Sequence, residues 1–198
     1  MVFKYLAMNL DLHDEDFDMI YPLTIQQLSR KHWTPVEVAK AAADFLVKKP
    51  GTKVLDIGSG VGKFCLIGAS STQGIFTGIE QRENLVELSN GIAVKYGIPN
   101  AYFIHANITE IEFSGYNAFY FYNSFQENIE EESRIDASIA TLPKYYAIYS
   151  DYVNHELSKR AVGTRLVTYW SALAEVPSNY QIQFSLYNGL LKFWEKTA

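Results

Sequence analysis

Three alternating glycines, Gly58, Gly60 and Gly62, stand between a short apolar run, Lys53-Val54-Leu55-Asp56-Ile57, and a helical stretch carrying Val61, Phe64, Cys65 and Ile67. Lacking side chains, they let the backbone pass close to a ligand, and the amino end of the following helix offers N–H groups that the helix itself leaves unpaired. A turn alone requires fewer glycines. Glu80 lies 20 positions beyond Gly60, at the end of a second apolar run, Gly74 to Glu80. From the carboxyl end of a strand at that spacing, a carboxylate accepts hydrogen bonds from both hydroxyls of a ribose. Loop and acid together predict a nucleoside ligand. The pattern is G-x-G-x-G with Asp56 two residues ahead, whereas dinucleotide folds use G-x-G-x-x-G. An NAD(P)-dependent oxidoreductase is therefore an alternative reading and not the first one.

Such a loop must be held by a sheet. The runs 53–57 and 74–80 read as strands, joined by a third at Ala101 to His105, a very apolar fourth within Tyr116 to Tyr122 and a fifth at Arg165 to Trp170. Helices are predicted between them. One opens at Thr34-Pro35-Val36-Glu37, with Thr34 as cap and Glu37 closing a capping box, and runs to about Val47. Another spans Glu83 to Tyr96 and ends at Gly97. Asn128 and Glu131 are expected to cap a helical stretch that Pro143 interrupts, followed by a tyrosine-rich helix to Lys159-Arg160, whose Tyr145, Tyr149 and Tyr152 cover the sheet. Tyr187-Asn188-Gly189 joins the last two strands as a hairpin. The sum is an α/β fold: a three-layer αβα sandwich on a mostly parallel, twisted sheet with a C-terminal antiparallel β-hairpin. Residues 1–33 read as an N-terminal helical arm or lid and residues 34–198 as the ligand-binding domain.

Composition narrows the classes. With 198 residues and 48% apolar content, the chain can bury one core and is not a disordered tail. Its net charge of −5 and scattered Lys and Arg argue against gripping a nucleic-acid backbone by charge. Cys65 is the single cysteine, and His13, His32, His105 and His155 are dispersed, so no metal site is implied. The acidic run Asp11 to Asp18 reads as a solvated face or flexible arm. Without a signal peptide's continuous apolar core or an apolar run of roughly 18 residues, the expectation is a soluble, cytoplasmic protein with no membrane partner.

Val54-Leu55-Asp56-Ile57-Gly58-Ser59-Gly60-Val61-Gly62 resembles the first motif of class I S-adenosylmethionine-dependent methyltransferases, over a region of likeness from Trp33 to Glu195. The resemblance makes Asp56, Gly58, Ser59, Gly60 and Gly62 cofactor-binding, with Glu80 and Gln81 at the ribose. His105-Ala106-Asn107-Ile108 is similar to the segment that contacts adenine, Asn107 standing where many members have Asp. His32-Trp33-Thr34-Pro35 resembles an aromatic-Thr-Pro turn that some amino-methylating members place near the methionine carboxylate, which adds Trp33 and Thr34. Tyr122-Asn123-Ser124-Phe125 falls where the family places its reaction centre. It keeps the Asn and the aromatic residue of the Asn/Asp-Pro-Pro-aromatic motif of adenine-amino methyltransferases without its prolines, and is similar to the Asn-Asn-Phe-like stretch of seven-stranded lysine methyltransferases. Asn123, the Tyr122 carbonyl and Phe125 are thus the candidates for holding the acceptor, with Asn123 also touching the cofactor.

The resemblance implies S-adenosylmethionine as donor, S-adenosylhomocysteine as product, and an acceptor such as an amine nitrogen of a small molecule or protein side chain in preference to nucleic acid. A non-catalytic sensor or accessory subunit that binds the same cofactor is the alternative from another class.

Overall fold

The computed structural model describes residues 2–198. Its centre is a seven-stranded sheet of β1 (Lys53–Ile57), β2 (Ile75–Glu80), β3 (Ala101–His105), β4 (Ala118–Tyr122), β5 (Arg165–Tyr169), β6 (Tyr180–Leu186) and β7 (Leu191–Lys196). They lie in the order β3-β2-β1-β4-β5-β7-β6. The first five are parallel, and β7 is antiparallel to both β5 and β6. The expected three-layer fold is therefore the observed one, with the hairpin strand inserted beside β5.

Among the described residues eight α-helices flank the sheet: α1 (Val2–Ala7), α2 (Asp14–Asp18), α3 (Leu23–Gln26), α4 (Ser29–His32), α5 (Val36–Leu46), α6 (Lys63–Ser71), α7 (Glu83–Tyr96) and α8 (Pro143–Ser158). One core packs α5, α6 and α7 on the sheet, and Leu6, Phe17, Tyr21 and Trp33 of the arm join it. The other core lies under α8, where Tyr149, Val153 and Leu157 cover Phe119, Phe121 and Leu166. Burial of this kind, at about 1.5–3 kcal/mol per large apolar side chain, is what fixes the layers. Tyr149 is buried in this core, and Tyr145 and Tyr152 pack partly buried against it, so these tyrosines do cover the sheet.

Two local expectations are corrected. The Thr34 hydroxyl does not cap α5: it hydrogen-bonds the Tyr120 hydroxyl at 3.0 Å, and the Asp14 carboxylate accepts the Val36 N–H at 2.9 Å in its place. No α-helix begins at Asn128 either. Gln126–Asn128 and Glu131–Ser133 are single 3-10 turns, the Asn128 amide donates back to the Phe125 carbonyl at 3.1 Å, and Pro143 starts α8 rather than interrupting a helix.

Candidate active site

The loop after β1 forms the floor of the site. Gly58, Gly60 and Gly62 have φ of +77°, +53° and +73°, a region that residues with a Cβ enter at a cost. Space forbids a side chain as well: a Cβ on Gly58 would lie 2.4 Å from Ser124, one on Gly60 2.6 Å from the Trp33 indole, and one on Gly62 2.3 Å from Phe103. The Ser59 N–H is tied to the Ile79 carbonyl at 2.9 Å, while its buried hydroxyl has no partner among the described residues.

Glu80 ends β2 and is buried. One carboxylate oxygen accepts the Gly60 N–H at 3.1 Å and the other the Arg82 N–H at 2.9 Å. Burial pushes this carboxyl up, while those N–H groups and the Arg82 guanidinium hold the rise down. A carboxylate has about four lone-pair directions, so both oxygens can still accept from a ligand.

Arg82 is a hub that the sequence reading missed. Its guanidinium forks onto Glu127 at 3.1 and 2.6 Å, reaches Asp136 at 3.0 Å, and lies 3.6 Å from Glu80. It thereby anchors the segment 126–136 across the mouth of the sheet. Lys63 was missed too. Its ammonium, nearly inaccessible to solvent, meets Asp14 at 2.6 Å and Asp18 at 2.7 Å and lies 5.5 Å from the Phe17 ring centre. The acidic run is therefore not simply a solvated face: two of its carboxylates clamp the arm onto the first residue of α6.

Between arm and segment lies a cavity of about 820 Å³, lined among others by Ser29, Arg30, His32 and Trp33 on one side and by Tyr122, Asn123, Glu127 and Glu130 on the other. Gly58, Gly60 and Glu80 form its floor, with Tyr169 and Trp170 at the end of β5. The Lys31 ammonium donates to the Glu132 carbonyl, and the Tyr122 hydroxyl to the Lys31 carbonyl at 3.3 Å, so arm and segment touch directly. A smaller slot of about 30 Å³ opens behind Glu80, walled by Ile79, Gln81, Ala106, Ile108, Phe125 and Glu127.

The structure brings together at the large cavity Trp33, Gly58, Gly60, Glu80, Tyr122 and Asn123. Glu80, Gln81, Ile108 and Phe125 line the slot. Phe125 packs on Phe121 and Tyr149 and is absent from the cavity wall that Asn123 faces. Asn123 itself sits at φ +43°, a strained value that turns the chain as β4 ends. Asn107 lines neither space: it accepts from Thr109 and donates to Gln81 and Tyr149. Nor does Asp56, which is buried behind the loop, where the Cys65 thiol donates to it at 3.4 Å and burial pushes its carboxyl up to about 7. Thr34 is held by Tyr120, and Gly62 packs on Phe103.

A family profile described as a methyltransferase domain matches residues 48–149, more than half of the chain. The chain belongs to this methyltransferase family. The matched stretch runs from β1 through the glycine loop, Glu80 and Asn123 into α8. No curated protein matches in sequence. Among solved structures, the cyclase SpnF is 18% identical with a TM-score of 0.52, covering 67% of this chain and 43% of its own. TrmN from Thermus thermophilus is 16% identical with a TM-score of 0.57, covering 83% and 49%. An RNA methyltransferase from Salinibacter ruber, solved with S-adenosyl-L-homocysteine, is 17% identical with a TM-score of 0.55, covering 82% and 90%. The methyltransferase chain thus spans less than half the length of SpnF and TrmN, and at these identities the likeness is one of fold. That a cyclase shares the fold shows why the reaction must be argued from the site. Among the described residues no helix is long and apolar enough to cross a membrane.

Proposed function

We propose that the protein transfers a methyl group from S-adenosylmethionine to an amine nitrogen of a small molecule or protein side chain. The observation that carries this reading is Glu80: a buried carboxylate at the end of β2, joined to the Gly60 N–H, facing both the slot and the large cavity. Its free lone pairs suit the ribose hydroxyls. The apolar slot walls Ile79, Ala106, Ile108 and Phe125 suit adenine, provided the slot, which now has room for about one or two waters, widens. The exposed backbone of Gly58, beside the buried Gly60 in the cavity lining, suits the amino-acid end. When bound, the cofactor supplies an electrophilic methyl on a sulfonium, so the protein's work is to orient the acceptor, exclude water and manage a proton. Asn123 and Tyr122 stand at the cavity wall to orient it, and the arm, residues 1–33, acts as a lid over the domain 34–198. A half-open cleft walled by arm and segment favours a small molecule or an inserted side chain over a duplex.

One observation supports the accessory-subunit alternative: of the three residues expected to hold the acceptor, Phe125 faces the slot and not the cavity. Calorimetry and a labelled-donor assay separate the readings. Binding of S-adenosylhomocysteine with label passed to an acceptor supports transfer, and binding without any transfer supports the accessory role. Binding of NADH alone would overturn both.

A further inference from the structure

We infer that the His32 imidazole is the general base of the large cavity, taking the proton from the amine acceptor; the inference rests on the amine-methylation reading. An alkylammonium loses its proton near pH 10 and has no lone pair to attack with until it does. Some group at the cavity must accept that proton at neutral pH.

The carboxylates of the wall are engaged or at the rim. Glu80 is held by two backbone N–H groups, Glu127 by the Arg82 fork, and Asp14 and Asp18 by Lys63. Glu130 is fully exposed, and hydrogen bonds from Ser133 and Gln126 keep it below the usual carboxylate range; Glu15 is exposed as well. Burial pushes the Tyr122 phenol up to about 12, so it keeps its proton. His32 differs from all of these. It is the last residue of α4, half-buried in the cavity wall beside Trp33, whose indole lies against Gly60. Its ring has no hydrogen-bond partner among the described residues, so a ring nitrogen is free to accept.

The groups facing it set its charge state. Burial lowers its pKa first, the neighbouring Lys31 ammonium lowers it further, Glu127 across the cavity opposes this, and Arg82 adds a smaller lowering. The imidazole is therefore neutral at pH 7 and able to take a proton. In the step itself the amine lone pair forms the N–C bond as the C–S electron pair returns to sulfur. One proton passes from nitrogen to the imidazole and on to water.

The test uses the full chain, tritium-labelled S-adenosylmethionine and heat-treated cell extract, counting label passed to any acceptor from about pH 5.5 to 9. S-adenosylhomocysteine affinity is measured by calorimetry on the same preparations. His32→Gln should bind S-adenosylhomocysteine within about threefold of wild type and transfer label at least tenfold more slowly, a threshold set below the roughly 100- to 10,000-fold that general bases supply. His32→Ala should regain part of its rate with added imidazole, and wild-type transfer should fall as His32 protonates. Equal transfer by wild type and His32→Gln, or loss of S-adenosylhomocysteine binding together with transfer, would overturn the role of His32 while leaving methyl transfer standing. A wild-type protein that binds S-adenosylhomocysteine but passes on no label would overturn the amine-methylation reading, and the inference with it.

Discussion

Replacing Lys63 with methionine removes the ammonium that Asp14 and Asp18 share while keeping most of the buried stem. Asp18 is almost buried and would be left as an uncompensated charge, whereas Asp14 is partly exposed and keeps the Val36 N–H. Breaking a buried pair costs about 3–5 kcal/mol. Because only one of the two acids is fully desolvated, the lower figure applies. The arm could relieve Asp18 by leaving the body, but Leu6, Phe17 and Tyr21 are buried there, at about 1.5–3 kcal/mol each, so undocking costs more than it recovers. For a chain of this size a loss of about 3 kcal/mol lowers Tm by roughly 6–12 °C. The assay is thermal unfolding followed by near-UV circular dichroism, with Lys63→Met/Asp18→Asn as companion, in which most of the loss should return. A single variant melting within about 2 °C of wild type, or a double variant no more stable than the single one, would refute the reasoning.

Glu80→Ala should weaken S-adenosylhomocysteine binding at least tenfold by calorimetry, since two charge-assisted hydrogen bonds at about 1.5–3 kcal/mol apiece are lost and water recovers part. An unchanged affinity would place the ribose elsewhere. Gly60→Ala should abolish that binding, its methyl group meeting the Trp33 ring at 2.6 Å, and Gly60→Ala/Trp33→Leu should restore part of it; a single variant that binds normally would show the contact to be yielding. Asp56 titrates near 7 when folded but near 4 when unfolded, so the folded state holds an extra proton between these values. Its contribution to stability is full below about pH 4, falls as pH rises to 7 and is constant above. Asp56→Asn should therefore gain on wild type between pH 5 and pH 8 in urea melts, by on the order of 3 kcal/mol, and parallel pH curves would place the carboxyl in water.

The glycine loop, Glu80 and the strand and helix alternation were legible because each is written in local spacing: alternate glycines, an acid at a strand end, apolar runs of strand length. What was not legible depends on partners far along the chain. Arg82 finds Glu127 and Asp136 only after β4 is laid beside β1, and nothing adjacent to Lys63 announces Asp14 and Asp18. Thr34 carries a capping signature that Tyr120, 86 residues away, overrides. Asn107 matched a ligand-contact position, yet its local turn absorbs the side chain. His32 reads in sequence only as one of four scattered histidines and as the start of the aromatic-Thr-Pro turn, because its place in the cavity wall depends on the arm folding back over the loop, which no periodicity encodes.

The place of β7 in the sheet sets an order of events during synthesis. β1 to β4, with the glycine loop and Glu80, can assemble from chain already made, whereas β5 pairs on its far side only with β7, and β6 reaches the sheet only through β7. At about 5–20 residues per second, the stretch from β5 to β7 takes roughly one to a few seconds to emerge. For that interval one edge of a buried strand is open. Its unpaired N–H and C=O groups are in reach of other nascent chains, so holding chaperones would have most to protect here once the strands that carry the glycine loop and Glu80 are made.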